Sequence, residues 1–582
     1  MLLRRCLIPL VLISLAATAC GPTAGPAGQP SQAGGAGTRS QATAPTINRT
    51  LVVASRNEPP TLASKPLRFV AAPRGIGVAL FNGMLDYLDQ KGIAQPYLAE
   101  ALPELNTDTW KVLPDGRMET TYKLKPNLFW HDGTPATAAD AVFAFQVYRT
   151  PDFGLANTEP NVHMEDVAAV DDRTLLIRWK NPYPQAFALK EDFEPLPRHI
   201  LEQPFQSLDA ESFTNLPYWT REFVGLGPYK LDRWEPGAFY EAVAFDRFVF
   251  GKPKIERVQI RFMNDPNTVL SNILAGEVHA SVDFAARYEQ GATLVREWAN
   301  KPERERGTLI ASPSLFWKTS FQFRPEVVNT RYALDPRVRR ALVHGFDKQG
   351  INEALMGGLS VITDTVVSPK AEYYPQVERV LTKRPFDIRL LQQGLEEIGF
   401  TRGSDGFYVA PDGSPFTPDL RCTADPTQEA ENAIIVDTLR RAGVNAQSYI
   451  IPSALQSDGQ ARSLFPTMAS NGGSGGETDL RDFRTASSAT PDNRYSGRNR
   501  GAWSDLEYDR VWAAFNQTLD RPERIKQIVE LERIINAEVP IIPHYFTPQV
   551  MPHVAALKGP IARELPDSGI ESFNIWQWEW LF

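Results

Sequence analysis

Tyr122-Lys123-Leu124-Lys125-Pro126-Asn127-Leu128-Phe129-Trp130-His131-Asp132-Gly133-Thr134-Pro135-Ala136-Thr137-Ala138-Ala139-Asp140-Ala141-Val142-Phe143 carries a strand, a turn and the start of a helix in succession. Its opening residues, with Thr121, form a short strand that Pro126 stops, because proline cannot donate to a β-ladder. Asp132-Gly133 and Thr134-Pro135 are turn pairs. Thr137 and Asp140 stand at the spacing of a capping box, so a helix opens there and carries Val142, Phe145 and Tyr148 on one face. Strand, turn and helix in that order make one unit of an α/β chain.

The same alternation runs outward in both directions. Leu51 to Ser55 is a β-branched run ended by Arg56-Asn57-Glu58-Pro59-Pro60, which exposes the strand tip. Leu175, Ile177 and Trp179 share one face of a half-buried strand. Gly225-Leu226-Gly227-Pro228-Tyr229 turns into another strand, Ile255 to Phe262 is a further one, and Thr268 to Gly276 is a helix closed by glycine. Asp335-Pro336 is an N-cap followed by an N1 proline, with Val338, Leu342 and Phe346 down one helix face. Ile388, Leu391, Leu395 and Ile398 step to a glycine cap at Gly399, and Ile435, Leu439 and Ala442 to another at Gly443, before a strand from Val444 to Ile450. Tyr508, Val511 and Phe515, then Ile525, Ile528, Leu531 and Ile535, mark two later helices leading into Val539-Pro540-Ile541-Ile542-Pro543. Ser470 to Thr485, rich in glycine, reads as a loop. Trp576, Trp578 and Trp580 alternate as on one face of a terminal strand. Strands and helices thus interleave along the whole chain, which argues open α/β sheets.

The N-terminus reads as an export leader. Arg4 and Arg5 precede the apolar run Leu7 to Leu15, which is too short to span a bilayer, and Ala16-Ala17-Thr18-Ala19 leads to Cys20. Gly21 to Pro45 holds Gly, Pro, Ala, Ser, Thr and Gln with one charge, Arg39, and lacks the apolar surface to offset chain entropy. It is a tether, with an r.m.s. reach of about 30 Å. Net charge is −8, and about −10 without the leader arginines, so there is no basic field for nucleic acid. Of three cysteines, Cys6 lies in the leader and Cys20 at its end, which leaves Cys422 as a packed thiol with no disulfide partner.

Candidate chemistry is sparse. His131-Asp132 has the composition of a general base with its orienter but lies in a turn. His544 and His553 are nine apart without helical metal-ligand spacing, and Gly472-Gly473-Ser474-Gly475-Gly476 lacks the Lys of a phosphate loop. No catalytic residue, metal or cofactor is expected, and the chain reads as a binding protein, not an enzyme. Trp317 and Trp503 offer flat faces on which a compact ligand could rest.

The opening stretch resembles the signature of the family-5 bacterial extracellular solute-binding proteins, the oligopeptide and dipeptide binders of ABC importers. The match lies in Tyr122-Lys123-Leu124-Lys125, Trp130-His131-Asp132-Gly133-Thr134-Pro135 and Ala139-Asp140-Ala141-Val142-Phe143, with Lys125 where the family usually has Arg. Gly225 to Tyr229, Leu274-Ala275-Gly276-Glu277-Val278, Asp335 to Leu342 with Asp347-Lys348, and Glu532 to Tyr545 follow in the family's order. Cys20 resembles a lipobox cysteine, with Ala17 where Leu is usual. The resemblance implies an α/β, type II periplasmic-binding-protein-like architecture of two lobes with a hinge and an extra domain inserted in the first lobe. By position, 1–19 is a lipoprotein signal peptide and 20–49 a tether. Residues 50–83, 222–310 and 540–582 form lobe 1, 84–221 the inserted domain and 311–539 lobe 2, with hinge crossings near Ser312-Pro313 and Pro540.

It also implies a monomeric, extracytoplasmic lipoprotein, anchored at Cys20 on the outer side of the cytoplasmic membrane or periplasmic. It would capture a peptide or other compact polar solute and deliver it to ABC permease subunits. The alternatives are a ligand-presenting sensor or a secreted hydrolase. Peptide-binding relatives carry a Trp and then an Asp, which takes the α-ammonium, in the second-lobe stretch that here reads Met468 to Asp479 with glycine in place of Trp. The expected ligand is therefore a weakly charged solute such as an oligosaccharide or modified peptide. Asn57, Glu58, Asn471, Glu477 and Asp479 would bond it, with Trp317 or Trp503 as a stacking face.

Overall fold

The computed structural model describes residues 49–67, 75–566 and 570–582. The leader, Cys20 and nearly all of the tether lie outside them. One eleven-stranded sheet forms the backbone of the body. In the first lobe Leu51–Ser55 lies parallel to Arg257–Phe262 and to Ala280–Ser281, and Arg257–Phe262 continues antiparallel through Phe239–Ala244 to Tyr229–Glu235. In the second lobe Met468–Gly473 runs antiparallel to Thr308–Phe321 and parallel to Asp419–Thr423, which pairs in parallel with Gln447–Ile451.

Period-two alternation explains why each lobe has two cores. Leu51 and Val53 face one apolar cluster while Val52 and Ala54 face another, made by the helices Pro266–Ala275 and Tyr288–Ala299. Phe316 and Trp317 divide the second lobe in the same way. The parallel strands are buried on both faces, which is why Leu51–Ser55 is apolar throughout up to its terminal serine.

Two long strands, Thr308–Phe321 and Ile541–His553, pair antiparallel and carry the chain between the lobes. Their register breaks between Pro313 and Phe316, where Leu315 N–H donates to Thr547 Oγ1 at 3.1 Å in place of a ladder bond. Pro313 and Pro548 face each other there and neither has an N–H. The return crossing was expected at Pro540, at the start of the strand Ile541–His553. Ile541, Ile542, Tyr545 and Phe546 pack in second-lobe cores, because they pair with Phe316 to Ser320, and only the strand beyond the proline pair joins the first lobe.

A four-stranded antiparallel sheet, in the order Trp110–Val112, Met118–Lys123, Thr174–Trp179, Met164–Ala169, lies between the parts of the first lobe in sequence. The helix Ala138–Tyr148 packs on it, opened by Thr137 N–H donating to Asp140 Oδ2 at 2.9 Å. Phe143, Ala144 and Val147 are buried as well as Phe145 and Tyr148, whereas Val142 is only half-buried. The buried surface is wider than the one face of Val142, Phe145 and Tyr148, since sheet and helix Arg198–Ser207 cover the helix on two sides.

Four sequence motifs meet pairwise. His131 sits against the glycine turn: Gly225 N–H donates to its Nδ1 at 3.1 Å, which leaves Nε2–H to donate to Gly227 O at 3.0 Å. Burial holds this imidazole neutral, its pKa lowered to about 4. A Cβ at Gly225 or Gly227 would collide with the backbone of Leu80 and Phe81, so only glycine closes this joint. Likewise the buried Arg339 guanidinium donates to the carbonyls of Ala333, Leu334, Glu538 and Val539, tying helix Pro336–Val343 to the C-terminus of helix Arg521–Glu538.

Two further expectations are corrected. The glycine-rich stretch at Ser470 is not wholly loop: Met468–Gly473 is an inner strand, and the helix Gly476–Leu480 follows. The terminal tryptophans do not share a strand face, since Ile575–Gln577 is a 3₁₀ turn and only Glu579–Trp580 is extended.

Candidate solute-binding cleft

In open α/β sheets a ligand cleft forms beyond the carboxyl ends of the strands. From the first lobe, Leu51–Ser55 ends there. Ser55 Oγ donates to Asp283 Oδ2 at 2.9 Å, and Arg56 and Asn57 project past it into solvent. Glu58 is already engaged: its carboxylate accepts from Trp234 Nε1 at 2.6 Å and from Gly237 N at 2.9 Å, pinning the neighbouring hairpin. Asp283 N–H donates to Glu571 Oε2 at 3.0 Å. Burial, with Asp283 alongside, raises the Glu571 pKa to about 8.

From the second lobe, Met468–Gly473 brings Asn471 and Gly472 to the same end. Asn471 Nδ2 donates to Ser320 Oγ and to Ala469 O, both at 3.0 Å. Trp317 is the direct cross-strand neighbour of Gly472, and a Cβ on Gly472 would come within 3.2 Å of its ring. The Trp317 ring from the adjacent strand thus occupies the space beside position 472. Trp317 is 8 % exposed, and its indole N–H has no partner among the described residues.

The two acids of this segment are held inside the lobe. Asp479 is 1 % exposed; its Oδ2 lies 3.5 Å from Lys318 Nζ and its Oδ1 accepts from Ser474 N–H at 2.8 Å. A side chain at Gly473 would strike both partners of this ion pair, which is the physical reason for glycine there. Glu477 pairs with Arg521 at 2.5 Å and with Arg524 at 2.9 Å. Burial raises its pKa, but the two guanidiniums outweigh that and the net shift is downward. Trp503 is a core residue, packed edge-to-face on Tyr508 with centroids 5.2 Å apart. Of the expected ligand groups, therefore, Asn57 is open, Asn471 and Trp317 lie together, and Glu58, Glu477, Asp479 and Trp503 have partners within the fold.

A cavity of about 360 Å³ lies between the inserted domain, which contributes Glu159 and His163, and the second lobe, which contributes Arg481, Arg484, Arg498 and Trp512. These arginines were missed from the sequence, because they are scattered through a stretch with no periodicity. A larger concavity of about 500 Å³, walled by Tyr87, Phe250 and Trp576, involves the first lobe and inserted domain only, so motion between lobes could not enclose its contents. Arg287 and Asp425 approach to 3.9 Å across the lobes.

His131 and Asp132 do not act together, since Asp132 pairs with His199 at 2.7 Å. His544 is buried against Glu431 at 2.7 Å. Among the described residues no three His, Cys, Asp or Glu side chains converge as metal ligands. Cys422 is buried, and burial pushes its thiol pKa up to about 11. No described helix is long and apolar enough to cross a membrane.

Two lobes, paired crossing strands and a domain inserted in the first lobe define the large class of two-lobed periplasmic binding folds. The chain belongs to the bacterial extracellular solute-binding proteins, family 5, whose model for the middle of the protein matches residues 100–493. Among curated relatives, a putative ABC transporter peptide-binding protein of Brucella ovis is 24 % identical over 334 residues, which are 55 % of this chain and 56 % of that protein. The chain thus spans little more than half the length of that relative. Among solved structures, NikZ of Campylobacter jejuni in complex with Ni(L-His) has a TM-score of 0.69 at 20 % identity, covering 91 % of this chain and 99 % of that one. The oligopeptide-binding protein of Thermus thermophilus with a pentapeptide has a TM-score of 0.67 at 21 % identity, covering 92 % and 96 %. At these identities the likeness is one of fold.

Proposed function

We propose that this protein is an extracytoplasmic solute-binding lipoprotein that encloses a compact polar solute between its lobes and delivers it, unaltered, to the permease subunits of an ABC importer. The observation that carries the reading is the cavity walled by the inserted domain and the second lobe, in a body whose connecting strands lose register at Pro313 and Pro548. A break in the ladder is where two packed bodies can rotate with little loss of hydrogen bonding. On this reading the first lobe comprises 50–83, 222–310 and 548–582, the inserted domain 84–221 and the second lobe 311–547. Cys20 anchors a monomer to the outer side of the membrane. The Brucella relative's name supports an importer, while nickel–histidine and a pentapeptide in similar folds leave the solute to this chain's own residues. Outside that cavity, exposed Asn57 at the first-lobe strand tip and Asn471 beside Trp317 are the further polar groups assigned to it on this reading.

The test is X-ray scattering with and without the solute that co-purifies from the native host, together with mass spectrometry of that solute before and after incubation. Closure reduces the radius of gyration, and a hundredfold excess over Kd adds about 2.7 kcal/mol of stability. An unchanged radius at saturation, or a chemically converted solute, would overturn the reading.

A further inference from the structure

The second-lobe wall of the cavity has more cations than its own carboxylates can neutralise. Asp482 serves two guanidiniums, Arg481 and Arg498, each at 3.6 Å. Arg484 donates to Arg481 O and lies over Trp512, with its guanidinium carbon 5.3 Å from the ring. Arg500 lies near enough to both Arg462 and Arg498 to feel their positive charge. Among the described residues no carboxylate is within ion-pairing distance of Arg484, Arg500 or Arg462. Facing them across the cavity is one carboxylate, Glu159, itself 4.0 Å from His163.

The nearby acids cannot make up the difference. Asp479 is taken by Lys318, and Glu477 by Arg521 and Arg524, so neither adds free negative charge. Burial, with Asp479 behind it, raises the pKa of Asp482 and weakens its hold on its arginines. Burial and the neighbouring Arg462 and Arg498 lower the Arg500 pKa to about 10, and the attraction of Asp482 does not make up for them. A guanidinium is the side chain best shaped to take carboxylate or phosphate oxygens in pairs, and it does so more strongly where water is excluded.

We propose that the captured solute is an anion, and that its carboxylate or phosphate oxygens are held by Arg484 and Arg498, with the field of Arg500 and Arg462 behind them. The inference rests on the solute-capture reading above and deepens it. It departs from the weakly charged ligand expected from the sequence. A free peptide α-ammonium would find only Glu159 and the already shared Asp482 here, while an anionic end has several donors. Trp512 beside Arg484 supplies a flat apolar face for the rest of the molecule.

Calorimetry on the full chain tests this with matched probes. N-acetyl-trialanine is an anion, trialanine amide a cation and maltotriose neutral. Inorganic phosphate and succinate, as fragments, separate the two sources of anionic oxygen. The expected result is that phosphate or succinate binds, more weakly as salt rises, and that Arg498→Gln weakens it about tenfold. Arg498→Lys should retain most of the affinity, and the surface variant Arg441→Gln should change nothing. Because Arg484→Gln also loses a ring contact, its melting temperature is measured alongside.

Equal fragment affinity in the wild type, Arg498→Gln and Arg484→Gln would overturn the proposal, as would tighter binding of trialanine amide or maltotriose than of every anion. So would a neutral or cationic solute recovered from native-host protein, though solute capture itself would then stand. If no solute of any charge from host extract is retained, solute capture fails first.

Discussion

Replacing Asp479 by Asn tests whether the Lys318–Asp479 pair is an internal structural element or a ligand anchor. The two groups are 3.5 Å apart, with side chains 8 % and 1 % exposed. At an effective dielectric of about 20 their attraction is about 5 kcal/mol, a gain largely cancelled by the cost of desolvating both ions. Removing one partner leaves the other charge stranded, which costs about 3–5 kcal/mol. The lower end applies here, because Asn keeps an acceptor for Ser474 N–H and Lys318 Nζ also lies 4.9 Å from the centre of the Phe316 ring. In a lobe of some 230 residues, about 3 kcal/mol corresponds to a fall in Tm of roughly 6–12 °C. Differential scanning calorimetry should show that fall in the second-lobe transition, and Lys318→Met combined with Asp479→Leu should recover most of it. A shift under about 2 °C would refute the reasoning, since Lys318 would then be hydrated and Asp479 free for a ligand.

Four other outcomes follow from the same geometry. Glu571 has its pKa raised to about 8 from an ordinary 4.5, so the folded state binds its proton more tightly than the unfolded chain. Its stabilising contribution is complete below about pH 4.5 and is lost as pH rises through about 8, so Tm should fall over that window, and Glu571→Gln should flatten the fall. Trp503→Ala should cost about 3–5 kcal/mol through the cavity it leaves in the core, read as a loss of Tm before any change in solute affinity. Asn57→Ala, at an exposed strand tip, should alter stability by less than about 0.5 kcal/mol while lowering solute affinity in calorimetry. Cys20→Ser should move the protein from the membrane to the soluble fraction at high salt, and a variant that remains membrane-bound would place the anchor elsewhere.

Much of the architecture was legible in the sequence because it rests on local rules. Period-two alternation placed Leu51–Ser55 and Thr174–Trp179, and proline after aspartate marked the start of helix Pro336–Val343. Glycine in the left-handed region closed the helices at Gly276 and Gly399, with φ of 79° and 101°. The family signature lay in five such local pieces, and the resemblance they carry implied two lobes.

What tertiary structure decided was pairing, and pairing is not local. Gly472 and Gly473 read as loop residues because glycine is a breaker in isolation. They lie in an inner strand because Trp317 covers one and the Lys318–Asp479 pair fills the space beside the other. Asp479 and Glu477 looked like ligand groups because their partners, Lys318, Arg521 and Arg524, are 161, 44 and 47 residues away. Ile541 to Phe546 pack beside Phe316 to Ser320 because the long antiparallel pairing puts them in register, which no local signal around Pro540 announces. The basic wall of Arg481, Arg484 and Arg498 has no sequence period, since a charge cluster needs only that side chains end near one another, and the folded loops alone determine that.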